Sequence, residues 1–210
     1  MGRTGATRAL PLKECAEVLP GFSVRGRMEH DPAGTHQLVL SRHLTEGVRY
    51  VYAPDHELRI VLGRDTAKYE VGTGDVLFMS RGTRNLAWVI GEVPQPTVAP
   101  VSFFILRPLN GADPTYLAWY LNQPSAQAAI EQIRTGAGTP IVQRKAFEQI
   151  EITLPPLEIQ RQIAELAWLM ARERQLMEQL TNAVHRAHAV IGQQIIENLR
   201  STGGAHERSK

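Results

Sequence analysis

The chain has 210 residues, of which 43% are hydrophobic, and this suits one globular core with an extension rather than several large domains. Its single cysteine, Cys15, excludes a disulfide framework and a four-cysteine zinc site within one chain. The formal net charge of +2 is only mildly basic and does not by itself indicate a nucleic-acid ligand. No apolar run approaches the roughly 20 residues that cross a bilayer, and the N-terminus lacks a signal-peptide core. We therefore expect a cytoplasmic protein without a membrane partner.

Most of the first half of the chain is a succession of short apolar runs. Between residues 10 and 109 these runs are rich in β-branched and aromatic residues and are separated by Gly, Pro and Asp. Such runs predict β-strands. The predicted strands are residues 37–40, 49–52, 58–62, 75–79, 87–90 and 101–106. The sequence therefore predicts a β-rich domain.

Two short helices are predicted after the last of these strands. Asp113 followed by Pro114 is a favourable helix start, because aspartate can cap the first turn and proline fits the first helical position. Ser125 can cap a second helix over residues 126–134, which ends before a Gly-Ala-Gly turn. Residues 150–154 then resemble one more short strand.

A long helix is predicted from Leu157 to about Leu199, a stretch without proline. Its apolar residues recur at alternating spacings of four and three, as in a helix that packs against a partner helix. At 1.5 Å per residue, such a helix is roughly 60 Å long. A helix lying back on its own domain is the alternative, but the globular part is too small to cover that length. The predicted apolar seam consists of Ile159, Ile163, Leu166, Met170, Met177, Leu180, Val184 and Ile191.

Together these patterns predict an α+β chain with three parts. Residues 1–156 form a β-rich domain with flanking short helices, and residues 157–200 form one long C-terminal coiled-coil helix. Residues 201–210 are polar and rich in glycine, which predicts a disordered tail.

Six segments, taken in their order along the chain, carry a family resemblance. They are GDVLFMSRG at residues 74–82, DPTYLAWYLN at 113–122, TGAGTP at 135–140, QRK at 143–145, IEITL at 150–154 and PPLEIQRQI at 155–163. Each segment alone is weak, but the ordered set resembles the specificity (S) subunits of type I restriction-modification enzymes, from about residue 12 to residue 199. The resemblance implies that the β-rich region is a target-recognition domain and that the chain is a DNA-binding subunit, not an enzyme.

The resemblance also implies how the DNA site is divided. A full-length S subunit carries two target-recognition domains, each reading half of a split site, and two long helices that separate them. This sequence holds one domain and one helix. We therefore expect a homodimer with antiparallel helices that reads a two-part, palindromic site in double-stranded DNA. A second, different S chain is the alternative partner.

Further partners follow from the same resemblance. The methyltransferase (M) subunits of this family bind S-adenosylmethionine and flip an adenine out of the duplex for N6 methylation, so the chain itself needs no cofactor. A restriction (R) subunit that translocates DNA can join the complex. Trp168, Leu169, Leu176 and Val190 are apolar but lie outside the seam. They either contact the M subunit or widen the stripe that faces the partner helix.

Reading bases and phosphates requires Arg, Lys, amide and hydroxyl side chains, which suit loops. Three segments meet this requirement: one with two arginines around a glycine, one after a predicted strand and one before a short helix. In that order, the candidate residues are Arg25 and Arg27; Ser80, Arg81, Thr83, Arg84 and Asn85; and Thr139, Gln143, Arg144 and Lys145. His43, beside Arg42, is a further candidate for a base or phosphate contact. For each arginine the alternative is a solvated surface side chain.

Patterns for catalysis or metal binding are weak. Residues 72–74 read Gly-Thr-Gly but lack the lysine and the strand-to-helix setting of a phosphate-binding loop, so we interpret them as a turn. His185 and His188 share a helical face without a third ligand nearby, and we predict no metal site. No nucleophile with its base and no pair of carboxylates can be assigned, so catalysis must come from other subunits.

Two other classes of protein stay open at this point. A stand-alone DNA-binding module, such as a regulator, uses the same domain without a methyltransferase and binds specific DNA tightly on its own. An oligomerising coiled-coil structural protein shows no salt-dependent binding to duplex DNA.

Overall fold

The structure is a computed structural model that describes residues 6–23, 29–47, 49–63, 66–109, 111–136 and 138–206, with side chains as far as residue 198. The chain forms two compact units, residues 1–168 and residues 169–210. The strands are β1 (Arg8–Pro11), β2 (Ala16–Pro20), β3 (His36–Leu38), β4 (Arg59–Ile60), β5 (Val76–Met79), β6 (Ala87–Val89), β7 (Thr97–Val98), β8 (Phe103–Pro108), β9 (Arg134–Thr135), β10 (Ile141–Val142) and β11 (Glu151–Leu154). The helices are α1 (Leu12–Cys15), α2 (Pro114–Leu121), α3 (Pro124–Gln132), α4 (Arg144–Phe147) and α5 (Leu157–His206). This composition confirms the predicted α+β fold.

The first unit is built around a four-stranded sheet with the order β2-β8-β5-β6, in which every neighbouring pair is antiparallel. A three-stranded sheet has the order β4-β3-β7, and β1 pairs with β11. The strands β9 and β10 form a small antiparallel hairpin. Strand β2 was not predicted, because its apolar residues are too few to stand out beside the helical turn α1 that precedes it.

Both faces of the four-stranded sheet are buried. Phe104 and Leu106 of β8 belong to one apolar cluster, which also contains Leu117 of α2. Phe103 and Ile105 of the same strand belong to a second cluster on the opposite face, since neighbouring side chains of a strand point in opposite directions. Burial on both faces explains why the predicted strands are continuous apolar runs rather than alternating ones.

The predicted start of α2 is confirmed. The Asp113 carboxylate accepts hydrogen bonds from the backbone N–H groups of Thr115 and Tyr116. The predicted cap of α3 is wrong: that helix begins at Pro124, and the Ser125 side chain does not cap it. Proline suits the first helical position because its fixed φ is already helical. A backbone N–H at that position would have no partner within the helix, so its absence in proline costs no hydrogen bond.

The strand predicted at residues 49–52 is also wrong. Tyr50 forms only an isolated parallel bridge with Ile90, and its N–H donates to the carbonyl oxygen of Val89 at 2.8 Å. Tyr50 is buried in the second apolar cluster, whereas Val51 is exposed. The β-branched and aromatic composition of this segment therefore reflects one buried anchor rather than a strand.

The first turns of α5 belong to the globular unit. Gln160 and Ala164 are buried, and Ile163 packs against the first apolar cluster. The boundary between the two compact units consequently lies after Trp168. The sequence analysis had placed the domain boundary at the start of the helix. Ile163, which was assigned to the seam, thus also contacts its own domain.

The end of α5 differs from the prediction. The helix continues to His206, so residues 201–206 are helical rather than part of a disordered tail, while residues 207–210 lie outside the described residues. Gly203 and Gly204 lower helix propensity, but unlike proline they keep their backbone N–H and do not clash with the preceding turn. Within the described ranges, no helix combines the length and apolar character needed to cross a membrane.

Candidate nucleic-acid interface

The loop of residues 80–85, which connects β5 to β6, is closed by two buried side chains. Ser80 and Asn85 are each only 2% exposed. The Ser80 hydroxyl donates to the carbonyl oxygen of Ser102 at 2.9 Å, and the Asn85 amide donates to that of Met79 at 2.8 Å. The Ser80 hydroxyl and the Asn85 amide thus already donate to partners inside the protein. These two candidate contact residues face inward and fix the shape of the loop.

The other three candidates in the 80–85 loop point outward. Arg81, Thr83 and Arg84 are exposed, and Gly82 has a φ of 101°, a left-handed conformation that glycine adopts at little cost. The Arg84 guanidinium lies 2.9 Å from a carboxylate oxygen of Glu46, and both side chains are solvated. Exposed ion pairs of this kind are weak. The loop therefore offers two guanidinium groups and one hydroxyl for contacts with an anionic partner.

The 134–142 hairpin, formed by β9 and β10, joins the 80–85 loop. The N–H of Gly82 donates to the carbonyl oxygen of Pro140 at 2.8 Å, and the N–H of Val142 donates to that of Ser80 at 2.8 Å. Two segments that the sequence offers as separate candidates are thus brought together by backbone hydrogen bonds.

The third candidate segment surrounds the end of this hairpin. Thr139, Gln143, Arg144 and Lys145 are all exposed. Two of them also have internal partners: Gln143 donates to a threonine hydroxyl of β9 at 3.0 Å, and Arg144 donates to the carbonyl oxygen of Val18 at 3.3 Å. Thr139 and Lys145 are consequently the more freely placed members of this set.

The first candidate segment contains two of the predicted DNA-contacting arginines. Arg25 and Arg27 fall within residues 24–28, which lie outside the described residues. Ser23, immediately before them, is exposed, and Phe22 forms a parallel bridge with Pro100.

His43 is part of an aromatic stack. Its ring lies parallel to that of His56, with 4.3 Å between centroids, and the His56 ring stacks in turn on Tyr50 at 5.6 Å. The Arg42 Nε donates to His43 Nε2 at 3.1 Å, and His43 Nδ1 is buried without a partner among the described atoms. His43 therefore has a packing role. One of its ring nitrogens already accepts a hydrogen bond and the other is buried, so neither is well placed for a DNA contact.

The environment of His43 makes the stability of the fold depend on pH. Burial lowers the pKa of its imidazole, and the neighbouring His56 and Arg42 lower it further, while Asp55 opposes them. The His43 imidazole therefore binds a proton less readily in the folded chain than in the unfolded chain. Its contribution to the free energy of unfolding is fully present above a pH of about 6.5, the unfolded-state pKa, and is lost as the pH falls through the folded-state pKa.

We therefore expect the free energy of unfolding of the wild type, minus that of His43→Gln, to decrease as the pH falls from about 7.5 to about 5. Urea titrations of both proteins at several pH values measure this difference. A difference that stays constant over that range would show that His43 is not the residue responsible.

Two residues that hold the 80–85 loop from behind were missed by the sequence analysis. Gln127 of α3 donates to the carbonyl oxygen of Asn85 at 2.8 Å, and Arg134 at the start of β9 donates to that of Thr83 at 3.1 Å. The only signal in the sequence is that these two polar residues are two turns apart on the predicted helix, and a solvated helix face has the same pattern.

Residues 72–75, which contain the Gly-Thr-Gly segment, lie just before β5. Thr73 and Gly74 form a turn before β5, in which the N–H of Gly72 donates to the Asp75 carboxylate at 2.9 Å. Nowhere among the described residues do three or more His, Cys, Asp or Glu side chains come together as metal ligands would.

Comparison with known families identifies the class of protein. A sequence model described as the type I restriction modification DNA specificity domain matches residues 64–186, which is more than half of the chain. The matched range contains the 80–85 loop, the 134–142 hairpin and the first part of α5. The chain belongs to this family, whose members are non-catalytic DNA-recognition subunits of restriction-modification systems.

Solved structures show the same fold. The HsdS subunit from Thermoanaerobacter tengcongensis is 17% identical, with a TM-score of 0.57 over 83% of this chain and 39% of that one. The type I restriction-modification S subunit from M. genitalium is 14% identical, with a TM-score of 0.51 over 79% of this chain and 39% of that one. A third chain comes from a structure described as showing complex assembly and conformational transition of the type I R-M system. It is 16% identical, with a TM-score of 0.60 over 84% of this chain and 41% of that one.

The chain therefore spans about two fifths of the length of these solved chains. No curated protein matches its sequence.

Proposed function

We propose that this chain recognises DNA as the specificity subunit of a type I restriction-modification complex, and that it directs adenine methylation and restriction to a two-part palindromic site as a homodimer. One observation carries the recognition part. Exposed Arg81, Thr83 and Arg84 project from a loop whose remaining polar side chains are buried and bonded inward. Guanidinium groups in this setting suit paired hydrogen bonds to a guanine edge or to phosphate.

The homodimer is supported by the exposure of the apolar seam. Its members in residues 169–198 are largely exposed: Met177 and Leu180, for example, are 59% and 60% exposed. A continuous apolar stripe of this kind needs a partner helix.

The residues beside the seam favour antiparallel helices. Over residues 169–190 one flank of the seam is apolar and carries Leu169, Leu176, Ala183 and Val190, whereas the other flank is polar and carries Arg174, Thr181 and His188. In an antiparallel pair each flank meets its own equivalent, so the apolar flanks face each other and the polar flanks face each other. A parallel pair would set each apolar flank against a polar one. Antiparallel packing by a two-fold axis also places the two recognition domains at opposite ends of the spacer.

A methyltransferase subunit that binds S-adenosylmethionine and a restriction subunit complete the proposed complex. Leu169, Leu176 and Val190 lie beside the seam and suit the dimer contact. Trp168 lies on the opposite side of the helical pattern and is 48% exposed, which makes it the better candidate for the methyltransferase contact. Large aromatic residues are common anchors of protein interfaces.

The two other classes considered from the sequence make different predictions. A stand-alone DNA-binding module has the same 80–85 loop but leaves the methylation of the genome unchanged when it is lost. A coiled-coil structural protein shows no salt-dependent binding to duplex DNA.

The experiment that tests the proposal is a map of N6-methyladenine across the genome of the source cell, with and without this gene. Loss of methylation at one inverted-repeat, two-part motif is the expected result, and it identifies the target. Loss at an asymmetric motif would show that a different S chain supplies the second domain. An unchanged map would contradict the proposal and favour the stand-alone module.

With the target known, the substitution Arg81→Ala is expected to weaken binding of the target duplex about ten- to a hundredfold, since one paired contact to a base is lost. Fluorescence anisotropy with labelled duplexes measures this change at fixed salt. The matched control is Arg8→Ala, which removes an exposed arginine of β1 outside the loop and the hairpin. Equal weakening by both substitutions would show that Arg81 contributes only general charge.

A further inference from the structure

The backbone of the 80–85 loop is clamped from behind by two long side chains. Arg134 Nη1 donates to the carbonyl oxygen of Thr83 at 3.1 Å, and Gln127 Nε2 donates to that of Asn85 at 2.8 Å. Both bonds go to main-chain oxygens, so they leave the outward side chains of the loop free.

Each clamp is itself held in place. The Arg134 guanidinium bonds to a carboxylate oxygen of Glu131 at 2.5 Å, and its side chain is only 21% exposed. Gln127 Nε2 donates a second bond, at 2.7 Å, to the carbonyl oxygen of Leu121, a fully buried residue of the first apolar cluster. The two side chains therefore tie a surface loop to the packed core through α2 and α3.

The clamps act on two carbonyl oxygens of the loop that the hairpin does not bond. Backbone bonds from the 134–142 hairpin reach Ser80 and Gly82, whereas Thr83 and Asn85 receive the side-chain clamps. The direction of the Arg84 side chain depends on the backbone between these two residues. Recognition of a base edge tolerates displacements of only about 0.5 Å.

We propose that Arg134 and Gln127 are positioning residues for sequence readout: they hold the 80–85 loop in the conformation that aligns its exposed side chains with the base edges, and they do not contact DNA themselves. This inference rests on the proposed function, in which the loop reads DNA. Attraction to phosphates depends on charge and tolerates a mobile loop, whereas discrimination between sequences depends on fixed geometry. The clamps should therefore govern specificity more than general affinity.

The test uses the full chain with the substitutions Arg134→Ala, Arg134→Lys and Gln127→Met. Affinities are measured for three duplexes: the mapped target, the target with one base pair changed in each half-site, and a random sequence, each at several salt concentrations. We expect Arg134→Ala and Gln127→Met to reduce the preference for the target over the changed site by at least about tenfold. Affinity for the random duplex should change by less than about threefold, with the same salt dependence.

The lysine variant separates position from charge. Lysine keeps the positive charge but cannot bridge Thr83 and Glu131 with a planar fork. We therefore expect Arg134→Lys to keep the random-duplex affinity and the salt dependence of the wild type and still to lose most of the sequence preference. The matched control is Gln132→Met, at an exposed position of α3, and it should retain the preference.

Three results would overturn the inference. An unchanged target preference in both Arg134→Ala and Gln127→Met would show that the clamps do not act on readout. Equal weakening on all three duplexes, with a salt slope reduced by about one, would show that Arg134 contacts a phosphate directly. Hydrogen exchange of residues 80–85 that is no faster in the variants, with β5 and β8 protected in every protein, would show that the loop does not depend on the clamps.

The target preference of the wild type separates this inference from the proposed function. If the wild type does not prefer the mapped target, then the proposed function fails, and the readout part of the inference fails with it. If the wild type discriminates and the variants discriminate equally well, only the positioning role is wrong.

Discussion

Replacing Gln160 by leucine is expected to lower the free energy of unfolding by about 3 kcal/mol. Gln160 lies in the first turns of α5 and is fully buried. Its Oε1 accepts a hydrogen bond from the N–H of Asp113 at 2.8 Å, and its Nε2 donates to the carbonyl oxygens of Gly111 and Pro155 at 2.7 Å each. Leucine fills a similar volume but leaves these backbone groups without partners, and each unpaired buried group costs about 1–3 kcal/mol.

The measurement is a urea titration of both proteins at one fixed concentration, since dimerisation makes apparent stability depend on concentration. The matched control is Gln162→Leu, which makes the same substitution at an exposed position of the same helix. That variant should differ from the wild type by no more than about 0.5 kcal/mol. If the two leucine variants were equally stable, the Gln160 hydrogen bonds would contribute nothing net to the fold.

The second large effect concerns the proposed dimer. We expect Leu180→Glu to raise the dimer dissociation constant at least about a hundredfold, which corresponds to about 3 kcal/mol. Leu180 is 60% exposed within the single chain, so the substitution should leave the fold of the chain intact. In a two-fold pair, however, it places two carboxylates in an apolar seam, where they lose hydration without gaining a cationic partner.

Sedimentation equilibrium over a range of concentrations measures the dissociation constant. Gln179→Glu is the matched control, because it adds the same charge one residue earlier, at a position that faces away from the seam in the helical pattern. Dissociation by Leu180→Glu alone is the expected result, together with loss of binding to the two-part target and retention of weak, salt-dependent binding to random duplex. An unchanged dimer in Leu180→Glu would contradict the assignment of the seam.

Several features of the fold could be predicted because they depend on neighbours in the chain. Asp113 and Pro114 are adjacent, and the cap they form is local. The seam of α5 repeats every seven residues, a periodicity that a helix imposes on any sequence with one apolar side. The central strands were found because burial on both faces requires long apolar runs.

The predictions that failed concern features in which local composition has more than one structural meaning. Residues 49–52 have the composition of a strand, but only Tyr50 pairs with the sheet, through one bridge. Gln160 reads as one more polar residue of a solvated helix, because nothing nearby in the sequence reveals the three backbone groups it bonds. The inward direction of Ser80 and Asn85 is equally invisible, since a polar loop residue can face either way.

The sequence by itself thus determined the α+β class, the single helical seam and the segments that contain the candidate interface, because periodicity, capping and composition are properties of the local chain. Only the tertiary structure decided which polar residues of those segments remain free. The 80–85 loop and the 134–142 hairpin lie about fifty residues apart in sequence, and they are joined by hydrogen bonds between Ser80, Gly82, Pro140 and Val142. Arg134 and Gln127 acquire their positions from the same long-range packing. Partners of this kind are chosen by the folded arrangement as a whole, and no local pattern encodes them.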